Sequence, residues 1–103
     1  MAEIRWTTQA SEDVEAIAEF IARDSEFYAK IFVTELFNTV ERLETFPESG
    51  RMVPEFEVPN IREIILGNYR IIYRIEKESP EILTIHHSSQ LFNKSLNGLR
   101  STI

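Results

Sequence analysis

From Glu3 to Thr7 polar and apolar residues alternate, with Ile4 and Trp6 as the apolar members, which is the period of a short strand. The period then lengthens. Ala10, Val14, Ile17, Ala18 and Ile21 recur at helical spacing and predict a helix over about 8–23. Thr7 or Thr8 supplies an N-cap hydroxyl, and Glu12, Asp13 and Glu15 place negative charge toward the positive end of the helix dipole. Asp24-Ser25 interrupts the pattern. A second stripe follows (Ala29, Phe32, Val33, Leu36, Val40, Leu43), widened by Ile31 and Phe37. It predicts a helix over about 26–45 that ends by Phe46, because Pro47 disfavours helical geometry at the residue before it. So short a connection makes the two helices an antiparallel hairpin.

Residues 47–60 hold three of the four prolines and read as a long loop. From Ile61 the period is that of strands. Ile61–Leu66 and Tyr69–Glu76 are joined by Gly67-Asn68, a two-residue hairpin turn. Ile82–His87 is a last strand after a turn at 77–81. The tail 93–103 is polar and reads as partly disordered. The order β-α-α-β-β-β predicts an α+β fold. A helical hairpin packs on one face of an antiparallel sheet, with the N-terminal strand as its fourth member.

A two-residue loop fixes register, so Ile65 pairs with Arg70, Glu63 with Ile72 and Arg62 with Tyr73, and paired residues share a face. Leu66, Ile64, Tyr69, Ile71, Tyr73 and Ile75 then form the core face. Arg70, Arg74, Glu63, Ile65 and Ile72 form the opposite, open face, with Glu63 diagonally between the two arginines. Leu83 and Ile85 are expected to face the core, which sends His86 to the arginine face and His87 inward or to the rim.

The 103 residues suit one domain of 1–103 with one core. Cysteine is absent, which removes disulfides, thiolate metal sites and a cysteine nucleophile. No apolar run approaches the ~18 residues of a membrane span. With no signal peptide at its start, the chain reads as soluble and cytoplasmic. The net charge of −6 argues against a general nucleic-acid binder. It is unevenly spread. Residues 1–50 carry four basic and eleven acidic side chains, whereas 51–103 carry seven basic and six acidic. Arg51, Arg62, Arg70 and Arg74 make the second half the place for an anionic partner. Two readings stand for the arginine face: a solvated ion cluster, or a site for phosphate or carboxylate. No metal site is expected, since His86 and His87 point to opposite faces and no third ligand is evident. No motif places a serine on a nucleophile turn, and no cofactor is implied.

The residues nevertheless form an ordered set. It comprises Trp6-Thr7-Thr8-Gln9-Ala10, Asp13, Ile17 and Phe20-Ile21-Ala22; Leu43-Glu44-Thr45-Phe46-Pro47-Glu48-Ser49-Gly50-Arg51 with Val53-Pro54-Glu55; Ile61-Arg62-Glu63, Tyr69-Arg70-Ile71-Ile72-Tyr73 and Ile85-His86-His87. Over about residues 4–92 this set resembles the RelE/ParE superfamily of type II toxin–antitoxin systems. The resemblance implies a helical hairpin on an antiparallel sheet and a cognate antitoxin as partner. It also implies one of two activities: binding and poisoning of DNA gyrase, or ribosome-dependent mRNA cleavage. A third possibility is a non-toxic module that only binds the antitoxin. For a nuclease, Arg70 matches the arginine of the Tyr-Arg-x-x-Tyr strand and His87 the basic residue near the last strand's end. Glu55 and Arg51 would serve as base and phosphate clamp, although a loop carboxylate after proline also reads as a turn residue. Nucleases of the family usually carry an arginine and a tyrosine where this chain has Ser88 and Phe92. The resemblance therefore favours the gyrase-binding branch. Partner-binding candidates are Arg51, Arg62, Glu63, Arg70, Arg74 and His86, without direct sequence-specific nucleic-acid binding.

Overall fold

The computed structural model describes residues 3–77 and 79–88; the expectations for the tail 93–103 and for Phe92 lie outside them. The chain begins with strand β1 (Arg5–Trp6), helix α1 (Thr8–Ala22) and helix α2 (Glu26–Glu41). The second helix tightens into a 3₁₀ turn at Arg42–Glu44 rather than running to 45. Strands β2 (Arg51–Met52), β3 (Ile61–Leu66), β4 (Tyr69–Glu76) and β5 (Ser79–His87) follow. Both helix starts are capped by hydroxyls. Ser25 accepts from the Tyr28 amide. Thr7 accepts from the Ala10 amide at 3.0 Å and donates to the Leu83 carbonyl at 2.8 Å, so one side chain both starts α1 and ties it to β5. Thr7→Ala is expected to cost about 1–2 kcal/mol, at the upper end for a cap, because the link to β5 is lost too. Urea denaturation measures this.

The sheet has five strands in the order β1-β5-β4-β3-β2. Several expectations are corrected, the last strand beginning at Ser79 rather than Ile82 among them. The sheet is mixed, because β1 runs parallel to β5, pairing Arg5 with Glu81 and Trp6 with Ile82. The stretch 47–60 is not all loop, because β2 pairs Arg51 with Glu63 and Met52 with Arg62. Both strands are two residues long: alternation predicts that β1 exists but not its sense, and β2 is too short for alternation to reveal at all. The β3–β4 register is the one a two-residue loop dictates, from Leu66↔Tyr69 to Arg62↔Tyr73. Gly67 takes φ 59°, the positive value that the first central position of a type II′ turn requires.

The main core lies between the helices and one sheet face. Ala10, Leu36, Val40 and Leu43 pack with Ile71, Tyr73, Ile82 and Ile85, flanked by Ile64, Leu66, Tyr69 and Ile75. The opposite face is not open. Val53, Phe56 and Val58 fold back over Ile61, Ile72 and Leu83 as a second apolar cluster. Leu83 therefore faces this side rather than the helices. The cause is a bulge: opposite β4, Ile72 pairs with Thr84 while the next residue, Tyr73, pairs with Ile82. The extra residue shifts the alternation of β5 by one. Asp13 of α1 covers the irregularity. Its carboxylate accepts from the Ile85 amide at 3.0 Å and from the Thr84 hydroxyl. Among the described residues no helix is long and apolar enough to cross a membrane.

Candidate functional site

The residues of chemical interest gather where β2, β3 and β4 meet under the 53–58 segment. Glu63 is the hub. Its side chain is 0% exposed, because β2, β4 and the folded-back segment enclose it. A buried carboxylate is tolerated only when paired and hydrogen-bonded, and it is paired twice. Arg51 Nε donates to Oε2 at 2.5 Å and Arg70 Nε donates to Oε1 at 2.6 Å. The strand registers place both partners there. Arg51 lies directly across from Glu63 on β2. On β4, Ile72 lies across from Glu63 and Arg70 two residues away on the same face.

Arg70 is itself shared between two carboxylates. Its outer edge holds Glu55 with both terminal nitrogens, Nη1 to Oε2 at 3.0 Å and Nη2 to Oε1 at 3.1 Å, a fork-to-fork pair. The four side chains thus form a chain of alternating charge from Arg51 through Glu63 and Arg70 to Glu55. Exposure changes steeply along it. The Arg70 side chain is 11% exposed, Glu55 36% and Arg51 63%. Burial opposes the charge on Arg70, but the hydrogen bonds to Glu55 and Glu63 outweigh it and raise its pKa. The hydrogen bond from Arg70 holds the Glu55 carboxyl below its ordinary value of 4.5, against the opposing effect of burial. The sign of the pH dependence follows. A depressed folded pKa gives stability that is complete above about 4.5 and lost as the pH falls through the lowered folded value. Glu55→Gln is therefore expected to make stability less steeply dependent on acid, read by denaturation between about pH 3 and 6.

The other candidate residues are distributed as follows. His86 lies opposite Arg70 and so on the arginine face, as the sequence suggests, but it is buried. Burial and then the charge of Arg70 push its pKa down, which favours neutral imidazole. His87 is on the other face, edge-on to Tyr69 with ring centroids 5.0 Å apart; Tyr69 in turn packs against Phe32 of α2. Arg70 and Glu55 are therefore brought together, while His87 is held across the sheet from them. Arg74 shares the arginine face but engages Glu81 at 2.6 Å, with Ile72 between it and Arg70. Arg62 shares the face of its partner Tyr73, away from Arg70. It donates to the carbonyls of Gly50 at 2.9 Å and Pro59 at 3.2 Å, and so braces the two ends of the β2 excursion.

Sequence reasoning missed three residues. Tyr73 appears there as core and as the second tyrosine of the Tyr-Arg-x-x-Tyr strand with no role for its hydroxyl, yet the hydroxyl donates to the Pro47 carbonyl at 2.7 Å and accepts from the Gly50 amide at 2.9 Å. The desolvated hydroxyl is raised in pKa, mainly by burial, and stays protonated to make the first bond. Gly50 has to be glycine, because a Cβ there would stand 2.6 Å from that hydroxyl and 2.7 Å from the Glu63 carbonyl. Asp13 reads as a dipole partner for α1, whereas it reaches across to the β5 bulge. Among the described residues no group of three or more His, Asp or Glu side chains is placed to hold a metal ion.

Comparison with known proteins bears on this arrangement. The model of the family described as ParE toxin of the type II toxin–antitoxin system, parDE, matches residues 4–92. Putative toxin Y4kP of Sinorhizobium fredii is 34% identical over 89 residues, covering 84% of this chain and 88% of that protein. Toxin RelE2 of Caulobacter vibrioides is 28% identical over 92 residues, covering 88% of this chain and all of that protein. Among solved structures, one of the chromosomal ParDE system from P. aeruginosa superposes with a TM-score of 0.70 at 24% identity, covering 84% of this chain and 96% of that one. The isolated E. coli RelE toxin superposes with a TM-score of 0.61 at 11% identity, each chain covered in full. These structures share the fold, and the sequence matches carry the lineage: the chain belongs to the ParE toxin family of type II toxin–antitoxin systems, within the RelE/ParE superfamily.

Proposed function

We propose that this toxin arrests growth by binding a protein, DNA gyrase, in the cytoplasm, and that a cognate antitoxin encoded beside it neutralises it. The observation that carries the reading is the charge balance at Arg70. A nuclease needs an uncompensated cationic group for the scissile phosphate and an acid–base pair beside it. Here Arg70 is matched by Glu63 and Glu55, and His87 lies across the sheet. Glu55 is further held as a carboxylate by that same arginine, which weakens it as a base. The acidic balance of the chain adds to this, since a broad basic surface is what a ribosome contact requires. The ParE description of the matching family supports the protein-binding branch, and the solved ParDE system supports an antitoxin partner.

The test is direct. Purified protein is expected to inhibit supercoiling by gyrase or to trap cleaved DNA, and its induction without antitoxin to raise DNA-damage signals while mRNA stays intact. Absence of gyrase binding, or translation-dependent mRNA cleavage in its place, rejects the reading. Co-purification of the neighbouring gene product, with relief of growth arrest, checks the antitoxin.

A further inference from the structure

The Arg70 fork is a two-sided device with unequal sides. Its inner edge is fixed by a carboxylate that solvent does not reach, Glu63. Its outer edge is closed by one that solvent does reach, Glu55. Glu55 sits on the segment pinned by Val53, Phe56 and Val58 in the second apolar cluster, so its side chain can swing out while the segment stays seated. Arg70 stays in place when that happens, because Glu63 still holds it. The local charge then changes from balanced to one net positive, with Arg51 beside it: Arg51 also acts on Glu55. The vacated edge presents two parallel N–H donors in the geometry that a carboxylate fits.

We infer that Glu55 is an internal stand-in for a partner's carboxylate: the outer edge of Arg70 is a carboxylate-binding site, closed in the free protein by Glu55 and opened when an acidic side chain of a bound protein replaces it. A protein is the source rather than a nucleic acid, because one local positive charge on a chain of net charge −6 leaves polyanion attraction weak. This inference rests on the reading of the chain as a protein-binding toxin. It makes the exchange a matter of partner fit. Any carboxylate displaces Glu55 only if further contacts hold it there, so the site discriminates against free anions.

Glu55→Gln keeps the shape and removes the competing charge. The full chain and this variant are titrated with an acidic hexapeptide of glutamates and, separately, with a single-stranded RNA hexamer. The Arg70 Nε–H resonance is followed by nitrogen-labelled NMR. The variant is expected to bind the peptide at least about tenfold more tightly than the parent, with the Arg70 signal moving, because the peptide no longer competes with a tethered carboxylate. Equal peptide affinity in the two proteins overturns the inference. Tighter binding of the RNA alone also overturns it, in favour of a phosphate site. Arg51→Gln, at an exposed position, is the control for general electrostatics: a gain in Glu55→Gln that persists in the double variant belongs to Arg70, and one that vanishes overturns the assignment. Failure of the gyrase assay with the tenfold gain present would remove the target but leave the site. The reverse result would remove the site but leave the target.

Discussion

Glu63→Ala is expected to destabilise the protein by about 3–5 kcal/mol, the cost of breaking a buried charge pair by removing one partner. The figure belongs at the upper end because two guanidiniums share this carboxylate. Arg51 is exposed and re-solvates, whereas Arg70 is largely buried and loses the carboxylate on its inner edge while Glu55 holds the outer one. Glu63→Gln separates charge from hydrogen bonding: it retains an acceptor but not the charge, and is expected to fall between alanine and the parent. Chemical denaturation of the three proteins gives the order. A small effect of Glu63→Ala, within about 1 kcal/mol, would mean that the site behaves like a surface ion pair.

Gly50→Ala is expected to have the second large effect, about 3 kcal/mol or slightly more, the upper range for overpacking in a closed site. The added methyl meets the Tyr73 hydroxyl and the Glu63 carbonyl, neither of which can retreat easily. The first is held by Pro47 and the second belongs to the middle of β3. Gly50→Ala combined with Tyr73→Phe tests the cause. Removal of the hydroxyl relieves the shortest of three close contacts, so the double variant is expected to lose less than the two single losses together. Strict additivity would show that the clash is with the ring carbon Cε1, 2.8 Å away, and the Glu63 carbonyl rather than with the hydroxyl.

Much of this molecule was legible in its sequence, for identifiable reasons. α1 and α2 each bury one stripe, and the helical period records that directly. The β3–β4 register was legible because Gly67-Asn68 leaves one way to close the turn. The placement of Glu63 near Arg70 follows from that register, and that of His86 on their face from Ile85 facing the core one residue before it. What was hidden depends on contacts between distant segments. Nothing in Val53-Pro54-Glu55-Phe56 announces that it folds over Ile72, so the arginine face looked open. The Arg70–Glu55 pair was hidden for the same reason, since fifteen residues and two turns separate its members. The bulge in β5 was invisible because Ile82, Leu83 and Ile85 are all apolar, and an apolar run carries no phase. Arg62 shows the converse: its register was known, but its role as a brace depends on carbonyls that no side-chain pattern describes.

The β5 bulge also sets where the strand tolerates a change of length. Before it, Ile82 faces the helices and Leu83 the arginine side; after it, Ile85 and His86 do the same. Deleting Thr84 would turn the irregular ladder into a plain one and leave every remaining residue on its present face. Only the tie from its hydroxyl to Asp13 would go. Deleting Ile85, after the bulge, would instead move His86 to the helix face and bring His87 opposite Arg70. Among relatives, one-residue length differences in this strand should therefore fall at position 84 and spare 85–87.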